Sequence, residues 1–215
     1  MGGMEMGHSR TIEFTGPAGR IEAILHGSDD EKPSRVAVVC HPHPLYSGTM
    51  HTKVVHRTAN ALAGTGHRVV RFNFRGVGAS EGVHDHGPGE KDDALAALDY
   101  ICSLHPGLPA TMAGFSFGSW VSLRVGCADP RVDALIGIAP PVNMADFSFL
   151  TGCPKTKLFI HGTADSIAPF EEFEKFFPLV ADPKSLARIE GATHLLTEHL
   201  DQVDSAIRDF VKRIG

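Results

Sequence analysis

Three residues far apart in the chain, Ser116, Asp165 and His194, have the types needed to build one nucleophile. A serine hydroxyl is a weak nucleophile until a base within hydrogen-bond reach takes its proton. Histidine suits that task near neutral pH, and it can return the proton to a leaving group. A carboxylate on the far ring nitrogen fixes the tautomer and stabilises the imidazolium without itself becoming protonated. Such a set performs acyl transfer through a covalent intermediate on the serine oxygen. The base must be neutral to act, so activity is expected to rise with pH as the histidine loses its proton.

The local sequence around each residue supports these roles. Ser116 is the centre of Gly114-Phe115-Ser116-Phe117-Gly118, a G-x-S-x-G box between the apolar run Ala110-Thr111-Met112-Ala113 and a helix-like stretch opening Gly118-Ser119-Trp120. A serine at such a strand-to-helix turn projects its hydroxyl from the end of a sheet, and flanking glycines leave room for the neighbouring strand and helix. Asp165 ends His161-Gly162-Thr163-Ala164-Asp165, directly after the apolar run Lys157-Leu158-Phe159-Ile160. His194 ends Gly191-Ala192-Thr193-His194, after the strand-like Ser185 to Ile189. Asp146 is the main rival acid and His199 the rival base, while His161 reads as structural.

The elements needed to bring these loops together are legible. Thr11 to Phe14 and Arg20 to Leu25 alternate apolar with polar around Gly16-Pro17-Ala18-Gly19, the pattern of a hairpin. From Arg35 onward, unbroken apolar runs such as Val36-Ala37-Val38-Val39-Cys40 indicate strands covered on both faces. Helical stretches at 52–63, 92–103, 119–127, 170–177 and 200–214 alternate with strands at 67–74, 110–113, 134–139, 157–161 and 185–189. This order predicts an α/β fold, a mainly parallel sheet with helices on both faces and an N-terminal antiparallel hairpin. In such folds ligands bind beyond the carboxyl ends of the strands, where all three residues fall. The short stretch 140–155 leaves no room for a substantial cap.

Composition sets the wider limits. The 215 residues are 42% hydrophobic and 21% charged, as expected for one globular domain spanning 1–215, with residues 1–10 expected to be poorly ordered. A net charge of −5 gives no basic footprint for nucleic acid, and no apolar run has membrane-spanning length. No signal-peptide h-region opens the chain, so a cytoplasmic location is expected. Cys40, Cys102, Cys127 and Cys153 are widely spaced and read as reduced thiols. His41, His43, His51 and His56 lack a metal-site pattern, and Gly76-Val77-Gly78-Ala79-Ser80-Glu81 fails the dinucleotide spacing. No metal and no cofactor is expected.

Together His41-Pro42-His43-Pro44-Leu45-Tyr46-Ser47-Gly48, Phe72-Asn73-Phe74-Arg75-Gly76-Val77-Gly78-Ala79-Ser80-Glu81-Gly82, the Ser116 box and the Asp165 and His194 loops carry a resemblance. From about Arg20 to the C-terminus the chain resembles small lidless serine α/β-hydrolases of the dienelactone-hydrolase-like and serine-aminopeptidase-like group. The order Ser, Asp, His is the one that fold uses. Dienelactone hydrolases proper use a cysteine where this chain has Ser116, which favours ordinary esters. The resemblance implies an oxyanion hole from the N–H of Phe117 and an N–H in the loop after the third strand. His43 aligns with that donor, Leu45 is the fallback, and Pro42 and Pro44 have no N–H to offer. Leu45, Tyr46, Phe115, Phe117 and Met144, with the loop 82–89, are candidate walls of an open apolar pocket, although the two phenylalanines and Met144 are equally candidates for the core. The expected activity is a carboxylesterase acting on small to medium acyl esters, with a small-molecule ester as the partner. Thioester or amide hydrolysis by the same residues, and a non-catalytic ligand-binding protein on this scaffold, are the alternatives.

Overall fold

The computed structural model describes residues 9–28, 30 and 32–214. Of the segment expected to be poorly ordered, residues 1–8 lie outside these. Ser9 and Arg10, by contrast, already pair with His26 and Leu25. They open β1 (Ser9–Gly16), which forms the predicted antiparallel hairpin with β2 (Gly19–His26). The hairpin joins the sheet through β2, antiparallel to β4 (His67–Phe72).

The remaining strands are parallel: β3 (Arg35–Cys40), β4, β5 (Ala110–Phe115), β6 (Val132–Ile138), β7 (Thr156–Gly162) and β8 (Lys184–Ile189). The sheet order is β1-β2-β4-β3-β5-β6-β7-β8. Every residue of β3, β4 and β5 is buried, which is why β3 and β5 read as apolar runs without alternation. Successive side chains enter opposite cores. Val36, Val38 and Cys40 pack with α2 (Pro88–Leu104) and α3 (Phe117–Ala128). Ala37 and Val39 pack with α1 (Lys53–Ala63) and α5 (Leu200–Ile214). The remaining helix, α4 (Phe170–Phe176), sets Phe173 against Phe159 of β7. No helix among the described residues is long and apolar enough to cross a membrane.

Three details differ from the sequence-based expectation. The strand predicted to reach Phe74 stops at Phe72, because Asn73 and Phe74 turn away to hold the β3 loop. The Phe74 N–H donates to His41 Nε2 at 3.0 Å, and the Asn73 side-chain oxygen accepts from Met50 N–H at 2.8 Å. Helix α2 starts four residues before the predicted Asp92, with Pro88 in its first turn and Glu90 accepting from Gly87 N–H at 2.7 Å. The third is a correction: Cys127 and Cys153 are not free thiols but a disulfide, with Cα atoms 5.7 Å apart. Their separation of 26 residues carries no pairing signal. The fold places the end of α3 over the β6–β7 connection and so brings them together. Cys40 and Cys102 are free.

The β6–β7 connection contains one short 3-10 turn, Ser148–Gly152, and no cap. The end of β5, in the middle of the sheet, therefore stays open, flanked by β3 on one side and β6 on the other.

Candidate active site

Ser116 sits at the junction of β5 and α3 with φ 53 and ψ −123, a conformation that a serine adopts only when its surroundings impose it. Its N–H donates to Ile138 O at 2.8 Å, tying the turn to β6. Its carbonyl accepts from Ser119 N–H at 2.8 Å and Ser119 Oγ at 2.6 Å, starting α3. The glycines on either side are sterically required. A Cβ on Gly114 would land on the Gly118 carbonyl, and one on Gly118 would land on the carbonyls of His41 and Cys40. We expect Gly118→Ala to destabilise the fold by about 1–3 kcal/mol, as overpacking does. The urea midpoint measures this, and an unchanged midpoint would contradict the close approach.

His194 Nε2 lies 2.9 Å from Ser116 Oγ, and His194 Nδ1 lies 2.7 Å from Asp165 Oδ2. The loops carrying His194 and Asp165 are laced together. Ala164 N–H donates to Ala192 O at 3.0 Å, and Gly191 N–H donates to Thr163 Oγ1 at 2.9 Å. Gly162 permits this approach, since a side chain there would strike the Ala192 carbonyl. Below the imidazole lies the Phe115 ring, 5.3 Å away between centroids.

Asp165 is buried, and its other oxygen, Oδ1, accepts from Ile167 N–H at 2.9 Å and Ala168 N–H at 2.8 Å. Burial by itself would raise its pKa. Hydrogen bonds from His161, His194 and the Ala168 backbone outweigh burial and hold the carboxyl well below the usual carboxylate range. The Asp165 carboxylate is therefore ionised and locked in orientation. His161, read from the sequence as structural, is wholly buried with Nε2 3.4 Å from Asp165 Oδ2 and 2.8 Å from Ala168 O. Its contact with Asp165 is not read from the sequence, although its place four residues earlier at the same strand end is a usable signal. The rival Asp146 is exposed, and its carboxylate accepts from Ser148 N–H at 2.8 Å. His199 closes a 3-10 turn before α5 and does not bond Ser116.

The N–H groups of His43 and Phe117 donate to no group among the described residues, whereas Leu45 N–H is engaged by His43 Nδ1 at 3.2 Å. The Gly118 contact presses the start of α3 against the His41 loop, so the His43 and Phe117 segments are neighbours. His41 itself is scaffolding: it accepts from Phe74 N–H, and burial above all pushes its pKa down to about 4. Among the described residues no three His, Cys, Asp or Glu side chains converge as a metal set.

Of the predicted pocket residues, Leu45, Tyr46 and Met144 are exposed, 66%, 83% and 64% respectively, around the open end of β5. The Met144 loop is tied to the Asp165 loop by Asn143 Nδ2 donating to Ile167 O at 3.1 Å. Phe115 is core, 1% exposed, so it supports His194 and offers no open face to a substrate.

Comparison with known proteins agrees with this geometry. A family profile described as "Serine aminopeptidase, S33" matches residues 32–156, more than half of the chain. The uncharacterized protein RP471 of Rickettsia prowazekii is 36% identical over 209 residues, covering 93% of this chain and 87% of its own. Two solved structures superpose closely, each with a TM-score of 0.88. One is an α/β serine hydrolase homologue from Coxiella burnetii, at 35% identity over 93% of this chain and 96% of its own. The other is XC6422 from Xanthomonas campestris, a member of the α/β serine hydrolases without a lid, at 34% identity over 96% of this chain and 95% of its own. The serine at the β5–α3 elbow, the open rim and these matches agree: the chain belongs to the serine aminopeptidase S33 family and is a lidless α/β serine hydrolase.

Proposed function

We propose that this hydrolase is a carboxylesterase acting on small to medium acyl esters, with Ser116 as nucleophile, His194 as general base and Asp165 as the acid that orients it. The observation that carries this reading is the unbroken chain Asp165–His194–Ser116 at 2.7 and 2.9 Å. The unengaged N–H groups of His43 and Phe117 beside it support it further. Ser116 Oγ attacks the ester carbonyl while its proton passes to His194 Nε2. The carbonyl oxygen, now negative, is held by the two N–H groups, each worth about 2.7–4 kcal/mol in the transition state. His194 protonates the departing alcohol, then takes a proton from water, which releases the acid and frees Ser116.

The absence of a cap over β5 is why short acyl groups are assigned: a long chain finds no enclosed tunnel. We expect kcat/KM on p-nitrophenyl acetate or butyrate to exceed that on the palmitate. A faster rate on the long chain would overturn the size assignment.

A second reading, amide hydrolysis, is favoured by the family's description as a serine aminopeptidase. It ranks lower because amide cleavage needs protonation of a poorer leaving group. Turnover of an aminoacyl p-nitroanilide faster than of the matching ester would reverse the order.

A further inference from the structure

One side of the open rim carries a feature that ester hydrolysis as such does not require. Where the loops after β3 and β4 meet beside Ser116, aromatic and imidazole rings lean on one another. The His43 ring lies 5.0 Å from Tyr46, 4.8 Å from His84 and 5.0 Å from Phe117, centroid to centroid, at interplanar angles of 52–61°. His84 lies 6.0 Å from Phe117 in an edge arrangement. Phe117 follows the nucleophile and His43 offers the other free N–H, so this ring cluster is continuous with the reacting centre. Its outer face is uncovered: Tyr46 and Val83 are 83% and 77% exposed.

We propose that His43, Tyr46, His84 and Phe117 form a subsite for an aromatic ring carried by the ester. This rests on the ester-hydrolase reading and names the substrate class for the same site. Leu45 and Val83 alone would accept any apolar group, whereas tilted rings offer the edge-to-face and offset contacts that favour another ring. An anion is not the fitting occupant. Burial first, and the His84 ring next, hold the pKa of His43 below its ordinary value, and the fully buried Glu90 lies behind the cluster. The second observation is His84 itself. Its side chain is only 7% exposed, with Nδ1 2.8 Å from Glu90 Oε1, an ion pair whenever the ring is protonated. Nε2 makes no hydrogen bond among the described residues. The Glu90 contact fixes the ring in the cluster, against His43 and Phe117.

The test uses size-matched ester pairs followed by pH-stat. Benzyl acetate against cyclohexylmethyl acetate places the ring on the leaving group, and methyl phenylacetate against methyl cyclohexylacetate places it on the acyl group. We expect the aromatic member of one pair to be favoured in kcat/KM by about five- to tenfold, the pair showing which part of the substrate the rings hold. In Tyr46→Leu, which keeps apolar area but removes the ring, that ratio should fall toward one. Leu179→Ala, at an exposed apolar side chain outside these loops, should leave the ratio unchanged. Ratios near one in both wild-type pairs, or a ratio untouched by Tyr46→Leu, would overturn the subsite. Binding of the same esters to Ser116→Ala protein, read from NMR shifts of the Tyr46, His43 and His84 rings, separates this from the reaction itself. If no ester turns over but the aromatic members still bind at these rings, the esterase reading fails and the subsite stands. Equal binding of both members, or shifts elsewhere, removes the subsite whatever the activity.

Discussion

Ser116→Ala is expected to lower kcat on a short-chain ester by about a millionfold while leaving the fold intact. In the proposed mechanism the three residues act together, and that sets the size of the loss. Without the hydroxyl, His194 has no proton to take and the acyl-enzyme cannot form, so removing one member costs nearly as much as removing all. What remains is the contribution of the N–H groups of His43 and Phe117 and of substrate positioning, together about a thousandfold or more over water. The structural change is small, because the interactions that build the elbow are made by the backbone of residue 116. Its N–H bonds Ile138 O and its carbonyl receives Ser119. Thermal denaturation should therefore be near that of the wild type. Turnover within tenfold of wild type would move the nucleophile elsewhere.

Asp165→Asn is expected to cost about 10⁴ in kcat, and this chain shows the path of the loss. Asp165 Oδ1 already accepts two backbone N–H groups, from Ile167 and Ala168. An asparagine keeps its carbonyl oxygen there, since its NH2 could not accept those bonds. That orientation turns the NH2 toward His194 Nδ1, which must then accept, forcing the ring proton onto Nε2. The nitrogen facing Ser116 Oγ at 2.9 Å becomes a donor and can no longer take the serine proton. The charge that stabilises the imidazolium is lost as well. Steady-state kinetics beside a melting curve checks this. A loss below tenfold with normal stability would mean that the His194 tautomer is set by something other than Asp165.

The parts of this arrangement that the sequence reveals are those written in single segments. A serine between two glycines at a strand-to-helix change announces the elbow. An aspartate and a histidine just past apolar runs announce the other two corners, because in a parallel sheet every strand end faces the same edge. Unbroken apolar runs in β3 and β5 signal burial on both faces.

What escaped reading depends on contacts between distant segments. Cys127 and Cys153 pair only because α3 ends above the β6–β7 connection. Phe115 looked like a pocket wall from its neighbourhood to Ser116, but strand alternation sends its ring under His194 into the core. The engagement of Leu45 N–H, which leaves His43 N–H free beside Phe117, rests on a local bond to the His43 ring that no pattern encodes. Ser9 and Arg10, polar and near the terminus, gave no reason to expect order, which comes from pairing across to β2.

Ester hydrolysis by the proposed route requires a covalent acyl group on Ser116. The most direct measurement is acid quench of enzyme mixed with p-nitrophenyl butyrate, followed by peptide mass analysis. A butyryl group on the peptide containing Ser116, formed in step with the burst of nitrophenol and absent from Ser116→Ala, is the predicted result. Steady turnover with the acyl group on another residue, or a full burst in Ser116→Ala, would contradict it.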